Sequence, residues 1–316
     1  MTLRIPLPST RPGPTRHLDV IDGTTTAVQR ALRREGLAGY EPATIATFLA
    51  AAELEPDGFA FFDVGANVGL YAALCASLFS PGRVVAFEPT PGTARVARKI
   101  ARVNGLDVHV EEAALGREPG SARLFLSAKS DASNSLVEGF KESTGTVDVA
   151  VTTLDAHVER TGVVPSLLKI DVETFEPDVV AGALATLRDH RPRIVVEVLN
   201  RRGHDHGEEL TAAMDGLGYR YFPIDPYAEW DERAERDVII GDPGGVHCDW
   251  LLTPEPLPAD FLARVDTWER ALAACVADRN RTTPGGLRDL DVAERARVVG
   301  TRATRLAKRA FRSLRD

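Results

Sequence analysis

Short apolar runs alternate along this chain with stretches in which apolar residues recur every three or four positions. Residues 59–64, 83–87, 108–113, 166–172 and 193–199 read as strands, and 70–79, 94–104, 177–187 and 207–217 as helices. Residues 122–126 and 147–152 add strands, with a short helix at 154–159 between them and the next run. Such alternation predicts an α/β fold with a mostly parallel sheet, flanked by helices and wound through right-handed crossovers.

Helical spacing over 24–34 and 42–54 predicts a cap ahead of this core, and Pro42 suits the first turn of the second helix. Residues 1–16, rich in Pro, Thr and Arg, are expected to be loose. Residues 218–252 look β-rich but irregular, and two helices, 258–278 and 292–314, close the chain. The expected organisation is a tail and helical cap (1–57), a core (58–256) and a helical extension (257–316). In the last helix Val299, Ala303, Leu306, Ala310 and Leu314 share one face while five arginines lie elsewhere, so contact with a membrane surface or an acidic partner is expected there.

With 44% hydrophobic and 27% charged residues among 316, the chain is too apolar to be disordered. A net charge of −8 argues against a nucleic-acid partner. Cys75, Cys248 and Cys275 lack metal-binding spacing and read as reduced thiols, and no window is apolar enough for a signal peptide or membrane span. A cytoplasmic location is therefore expected.

The most informative segment is Asp63-Val64-Gly65-Ala66-Asn67-Val68-Gly69, where a strand ends at a carboxylate, a glycine turn follows and a helix begins. Such a turn holds a nucleotide-like ligand closely. Its Gly65-x-x-x-Gly69 spacing departs from the G-x-G-x-x-G pattern of pyrophosphate-binding folds, which suits a cofactor without phosphates. Glu88, followed by Pro89, ends the next strand, where an acidic side chain can accept both hydroxyls of a ribose. Glu112 and Ala113, at the end of the third, would lie near the base.

Asp171 ends a buried strand on the same side and is the first candidate for general base or metal ligand, with Glu173, Glu176 and Glu197 on the same edge. Asp171 and Glu197 could bind Mg²⁺, or cap helices and pair with nearby arginines. In the loop after Glu197, His204 of His204-Asp205-His206 is a further candidate base, because histidine titrates near neutrality. Asn134 and Ser135, in a polar loop, could contact a ligand, and Tyr221, Tyr227, Trp230 and Trp250 either stack on a sugar or pack in a core.

Taken together, Tyr40-Glu41-Pro42, the Asp63–Gly69 turn, Ala86-Phe87-Glu88-Pro89, Ala113-Ala114-Leu115-Gly116, Leu168-Lys169-Ile170-Asp171-Val172-Glu173 and Ile194-Val195-Val196-Glu197 resemble the FkbM-type methyltransferases. The resemblance covers roughly residues 40–200. It implies a Rossmann-like class I methyltransferase core, S-adenosylmethionine as donor, and an oxygen acceptor on a saccharide or a polyketide-like metabolite. Asp63, Gly65, Ala66, Asn67 and Gly69 would hold the methionine part, Glu88 and Pro89 the ribose, and the Asp171 edge the acceptor hydroxyl. Thr174-Phe175-Glu176 departs from the family's small Gly-Ala-Glu run.

Three other readings remain at this point. A nitrogen or carboxylate acceptor fits a similar scaffold, and a carboxylate would need no base. A nicotinamide-dependent oxidoreductase is opposed by the missing third glycine. A non-catalytic module that keeps the cofactor pocket is opposed by Asp171 and Glu197.

Overall fold

The computed structural model describes residues 2–21, 26–127, 134–137, 142–200, 205–224, 235–241 and 249–277. At its centre lies a seven-stranded sheet of β3 (Ala60–Val64), β4 (Arg83–Phe87), β5 (His109–Glu111), β9 (Leu167–Ile170), β10 (Arg193–Glu197), β11 (Arg220–Ile224) and β12 (Asp249–Thr253). Their spatial order is β11-β12-β10-β9-β3-β4-β5. The pairs from β5 to β10 are parallel and β12 runs antiparallel to both its neighbours, so this is the mostly parallel Rossmann-like sheet expected. All five β3 residues and all four β9 residues are buried, as befits inner strands covered on both faces.

The helices follow from their patterning. In α4 (Pro91–Val103), Thr93, Ala94, Ala97, Ile100 and Ala101 form the buried stripe. In α2 (Pro42–Ala52) every residue from Ala43 onward is buried, and Pro42 occupies the first turn. Helix α9 (Phe261–Ala273) packs on α2 through a face of Phe261, Val265, Trp268 and Leu272. Helix α3 (Leu70–Leu78) follows β3 after a five-residue turn.

Three expectations are corrected. Residues 1–16 are not loose throughout: β1 (Leu3–Pro6) pairs antiparallel with β2 (His17–Val20), burying Ile5, Leu18 and Val20 in the main core. The pairing is tied down by Asn104, which closes α4, accepts the Asp19 N–H at 2.8 Å and donates to the Asp19 carbonyl at 2.8 Å. The expected helix 177–187 is two, α6 (Glu176–Ala181) and α7 (Leu184–His190). They part at Gly182, where any side chain would run into the Gly116 carbonyl. The third predicted strand ends at Glu111, and β6 (Ala114–Leu115) joins a separate sheet, β6-β8-β7, with β7 (Gly120–Ser127) and β8 (Ser143–Thr152).

Of the remaining helices, α1 (Ala27–Glu35) carries a capping box from Thr26 and Gln29, α5 (Leu154–Thr161) starts at a Thr153 cap, and α8 (His206–Met214) starts at an Asp205 cap. Cys75 and Cys275 are free and buried. Among the described residues no helix is long and apolar enough to cross a membrane. The expected helix 292–314, with its arginines, lies outside the described residues, as do Cys248, Tyr227 and Trp230.

Candidate active site

The turn after β3 is built by three left-handed residues, Gly65 (φ 77°), Asn67 (φ 50°) and Gly69 (φ 74°). Gly65 and Ala66 both donate their N–H to the Phe87 carbonyl, at 3.0 and 2.9 Å, and the Asp171 N–H donates to Val64 at 3.0 Å. These bonds bring the ends of β3, β4 and β9 together. A Cβ on Gly65 would collide with the Asp171 carbonyl, so only glycine lets the chain pass there.

Glu88 crosses from β4 to this turn. Its Oε2 accepts the Asn67 N–H at 3.0 Å and its Oε1 the Thr90 N–H at 2.8 Å. Burial lifts its pKa to about 7 in spite of those two amides. The Thr90 side chain bonds the carboxyl as well, and its four lone pairs still leave room for a further donor. Asp63 is placed differently from expectation: only 1% exposed, it lies beneath the turn, not in the cavity, and its Oδ2 accepts the Ala72 N–H at 3.0 Å. Burial raises it to about 6, with Lys169 pulling it back down.

A cavity with about 560 Å³ of empty space, counting its open mouth, lies over the turn. Gly65, Asn67, Glu88, Pro89, Ala113 and Asp171 line it, with Phe87, Leu115, Leu124 and Phe175 forming an apolar part. Ala66 and Gly69, also expected at the cofactor, are not among its lining and instead close the turn, the Gly69 N–H donating to the Ala66 carbonyl at 2.8 Å. Glu112 stands outside, paired with Arg98 at 2.8 Å. Among the described residues the lining carries three carboxylates, Glu88, Asp171 and Glu173, and no basic side chain. This set fits a cationic, phosphate-free cofactor and offers nothing to a pyrophosphate.

Around Asp171 three neighbouring strands each present an acid on the same edge: Asp171 and Glu197 at the carboxyl ends of β9 and β10, and Asp249 at the amino end of the antiparallel β12. Glu197 of β10 lies directly opposite Asp249 of β12, and Ile170, immediately before Asp171, lies opposite Val196. Burial, then the charges of Asp171 and Asp249, push the Glu197 carboxyl well above the usual range. Burial raises Asp249 too, held back by the Thr44 hydroxyl, which donates to its Oδ2 at 2.5 Å. Glu41, at the start of α2, accepts the Tyr71 hydroxyl at 3.1 Å.

Lys169 sits among these acids, and the sequence reading missed it. Its Nζ lies 2.6 Å from Asp171 Oδ2 and 4.6 Å from the centre of the Tyr71 ring. A lysine inside the apolar run Leu168–Ile170, on the same face as an aspartate two residues on, was the available signal. Among the described residues no group of three or more potential ligands is disposed around a metal position.

The segment after Asp171 is strained. Glu173 (φ 55°) and Thr174 (φ 78°) are both left-handed, an outlier for the β-branched Thr174. Glu176 is buried: its Oε1 accepts the Val172 N–H at 3.0 Å while its Oε2 has no hydrogen-bond partner among the described residues, and burial lifts it to about 8. The Ser135 hydroxyl donates to the Glu173 carbonyl at 2.8 Å, and Asn134 lines the cavity. His204 lies outside the described residues. His206 is buried beside Glu209 at 3.2 Å, and Asp205 caps α8, so both serve the helix. Tyr221 and Trp250 pack in the core.

The sequence profile of the methyltransferase FkbM domain matches residues 63–221, half of the chain. "Methyltransferase 1" of Beauveria bassiana (strain ARSEF 2860) is 27% identical over 173 residues, 47% of this chain and 68% of that protein. Among solved structures, methyltransferase FkbM from Methylobacillus flagellatus KT aligns at 14% identity and a TM-score of 0.40, over 66% of this chain and 47% of that one. A SAM-dependent methyltransferase from Agrobacterium tumefaciens aligns at 11% identity and a TM-score of 0.39, over 69% and 64%. The aligned part thus spans about half of the Methylobacillus chain. The family match removes the nicotinamide reading, and the chain belongs to the FkbM family of S-adenosylmethionine-dependent methyltransferases.

Proposed function

We propose that the protein transfers a methyl group to a hydroxyl oxygen of a saccharide or polyketide-like metabolite. The observation that carries this reading is the continuity of the Gly65–Asn67 turn and Glu88 with the acidic edge of Asp171 and Glu197. Glu88 would accept the ribose hydroxyls through its remaining lone pairs, and the Phe87–Leu115–Phe175 side would take the base. The cofactor supplies an electrophilic methyl on a positively charged sulfur. Asp171 would receive the acceptor hydroxyl and take its proton as the new C–O bond forms, with Glu197 holding the Asp171 carboxylate by a hydrogen bond.

An acceptor carboxylate is disfavoured by the same edge, because the Asp171 carboxylate would repel it. A solvent-reachable hydroxyl suits it better. The test is methyl transfer from methyl-labelled S-adenosylmethionine to a panel of glycosides, their O-acetylated counterparts, amines and carboxylic acids. Label in the free glycosides and none in the blocked ones supports oxygen methylation; label only in amines or carboxylic acids overturns it.

A further inference from the structure

We propose that Lys169 is a positioning residue for methyl transfer, its buried ammonium fixing the Asp171 carboxylate at the cavity edge as a cation built into the chain. This rests on the reading of Asp171 as the neighbour of the acceptor hydroxyl.

The Lys169 side chain is 6% exposed and does not line the cavity, whereas that of Asp171 is 28% exposed and does. Lys169 therefore reaches the reaction only through Asp171. Its Nζ is anchored from behind on several elements at once: over the Tyr71 ring of α3, in the field of Asp63 on β3, and in that of Glu41 at the head of α2. Tyr71 and Glu41 are hydrogen-bonded to each other, which stiffens that anchorage. A buried ammonium in an inner strand costs several kcal/mol of lost hydration, so packing alone gives no reason for a lysine between Leu168 and Ile170.

Asp171 needs such an anchor. It follows the last residue of β9, so its side chain stands off the ladder, next to the left-handed Glu173 and Thr174. Three strand-end acids crowd this edge, and repulsion from the Asp249 carboxylate would turn a free Asp171 side chain away. The ammonium at 2.6 Å on one side and the hydrogen bond to Glu197 on the other hold it in one orientation. Misplacing a reacting group by about 1 Å costs on the order of 100-fold in rate, which sets the scale of the expected effect.

The experiment compares wild type with Lys169→Ala, whose missing atoms match n-propylammonium. Crystal structures with S-adenosylhomocysteine are paired with methyl transfer to the glycosides that accept label. The variant should bind S-adenosylhomocysteine nearly as wild type does and keep its KM for the donor. Its Asp171 should be displaced and its kcat should fall about 100-fold. Added n-propylammonium, and not n-propanol, should restore both position and rate. An Asp171 in its wild-type position with kcat near wild type overturns the proposal, as does a loss of kcat that n-propylammonium leaves unchanged.

Should Lys169→Ala fail to fold, nitrogen-15 spectra of the wild-type S-adenosylhomocysteine complex carry the test. They should show a slowly exchanging Lys169 ammonium coupled to the Asp171 carboxyl carbon, and absence of that coupling overturns the proposal. A wild type that does not bind S-adenosylhomocysteine would instead strike at the proposed reaction itself.

Discussion

Glu88 reaches from the end of β4 to the left-handed Asn67, taking its N–H at 3.0 Å, and so clamps the turn that its own second oxygen helps shape through Thr90. Removing the charge while keeping the shape, as in Glu88→Gln, should weaken S-adenosylhomocysteine by about 1.5–3 kcal/mol, the worth of hydrogen bonds to a charged group. Titration calorimetry reads this directly.

The same carboxyl gives a pH dependence. Its pKa is raised by burial from 4.5 to about 7, so the unliganded fold holds its proton more tightly than the unfolded chain does. Its contribution to stability is therefore lost as pH rises from 4.5 through 7. Ribose hydroxyls donate best to the ionised form, so binding should release a proton near neutrality and weaken as pH falls below about 7. Calorimetry in buffers of different ionisation enthalpy should show the release in wild type and not in Glu88→Gln.

Asp171→Asn should leave S-adenosylhomocysteine affinity little changed and lower kcat by roughly 10²–10⁴, the range for a lost general base. Unchanged turnover would remove Asp171 from the chemistry. Lys169 would then lack a reacting group to position.

Gly65→Ala should cost about 1–3 kcal/mol from the left-handed backbone alone, and more from the collision with the Asp171 carbonyl. Thermal melting should show the loss, and S-adenosylhomocysteine binding should vanish because β3 and β9 are forced apart.

The hook after Asp171 should respond in the opposite direction. Thr174→Gly relieves about 1–3 kcal/mol of strain and restores about 0.5–1 kcal/mol of chain entropy to the unfolded state, so a net gain near 1 kcal/mol is expected on melting. Glu176, raised to about 8 by burial, destabilises the fold as pH climbs from 4.5 through 8. Glu176→Gln should therefore be more stable than wild type at pH ~9 and close to it at pH ~5.

Much of this site was legible before any coordinates. Asp63–Gly69 and Glu88 announced themselves because a glycine turn and a strand-end acid leave local signatures in order and spacing. Lys169 did not, because its partners Glu41, Tyr71 and Asp63 come from three other elements that only the folded sheet brings together. Asp63 was legible in place but not in direction: the strand pattern set its position, while its turn toward the Ala72 N–H depends on how α3 leaves Gly69. The β1–β2 pair escaped notice because four residues a side give too short a two-residue alternation, with Pro-rich chain between them. Gly182 broke a helix that its neighbours' periodicity favoured, because Gly116 needed the space.

Strand β12, late in sequence, lies between β10 and β11. During synthesis β10 therefore emerges with an open edge, and β11 follows before the β12 strand it pairs with. Neither can complete its ladder until residues 249–253 have left the ribosome. Over that interval a hydrophobic strand of Ile194, Val195 and Val196 stands exposed to pairing with other nascent chains. A fragment cut at the boundary of the family match, residue 221, would keep that vulnerability permanently and should collect as aggregate.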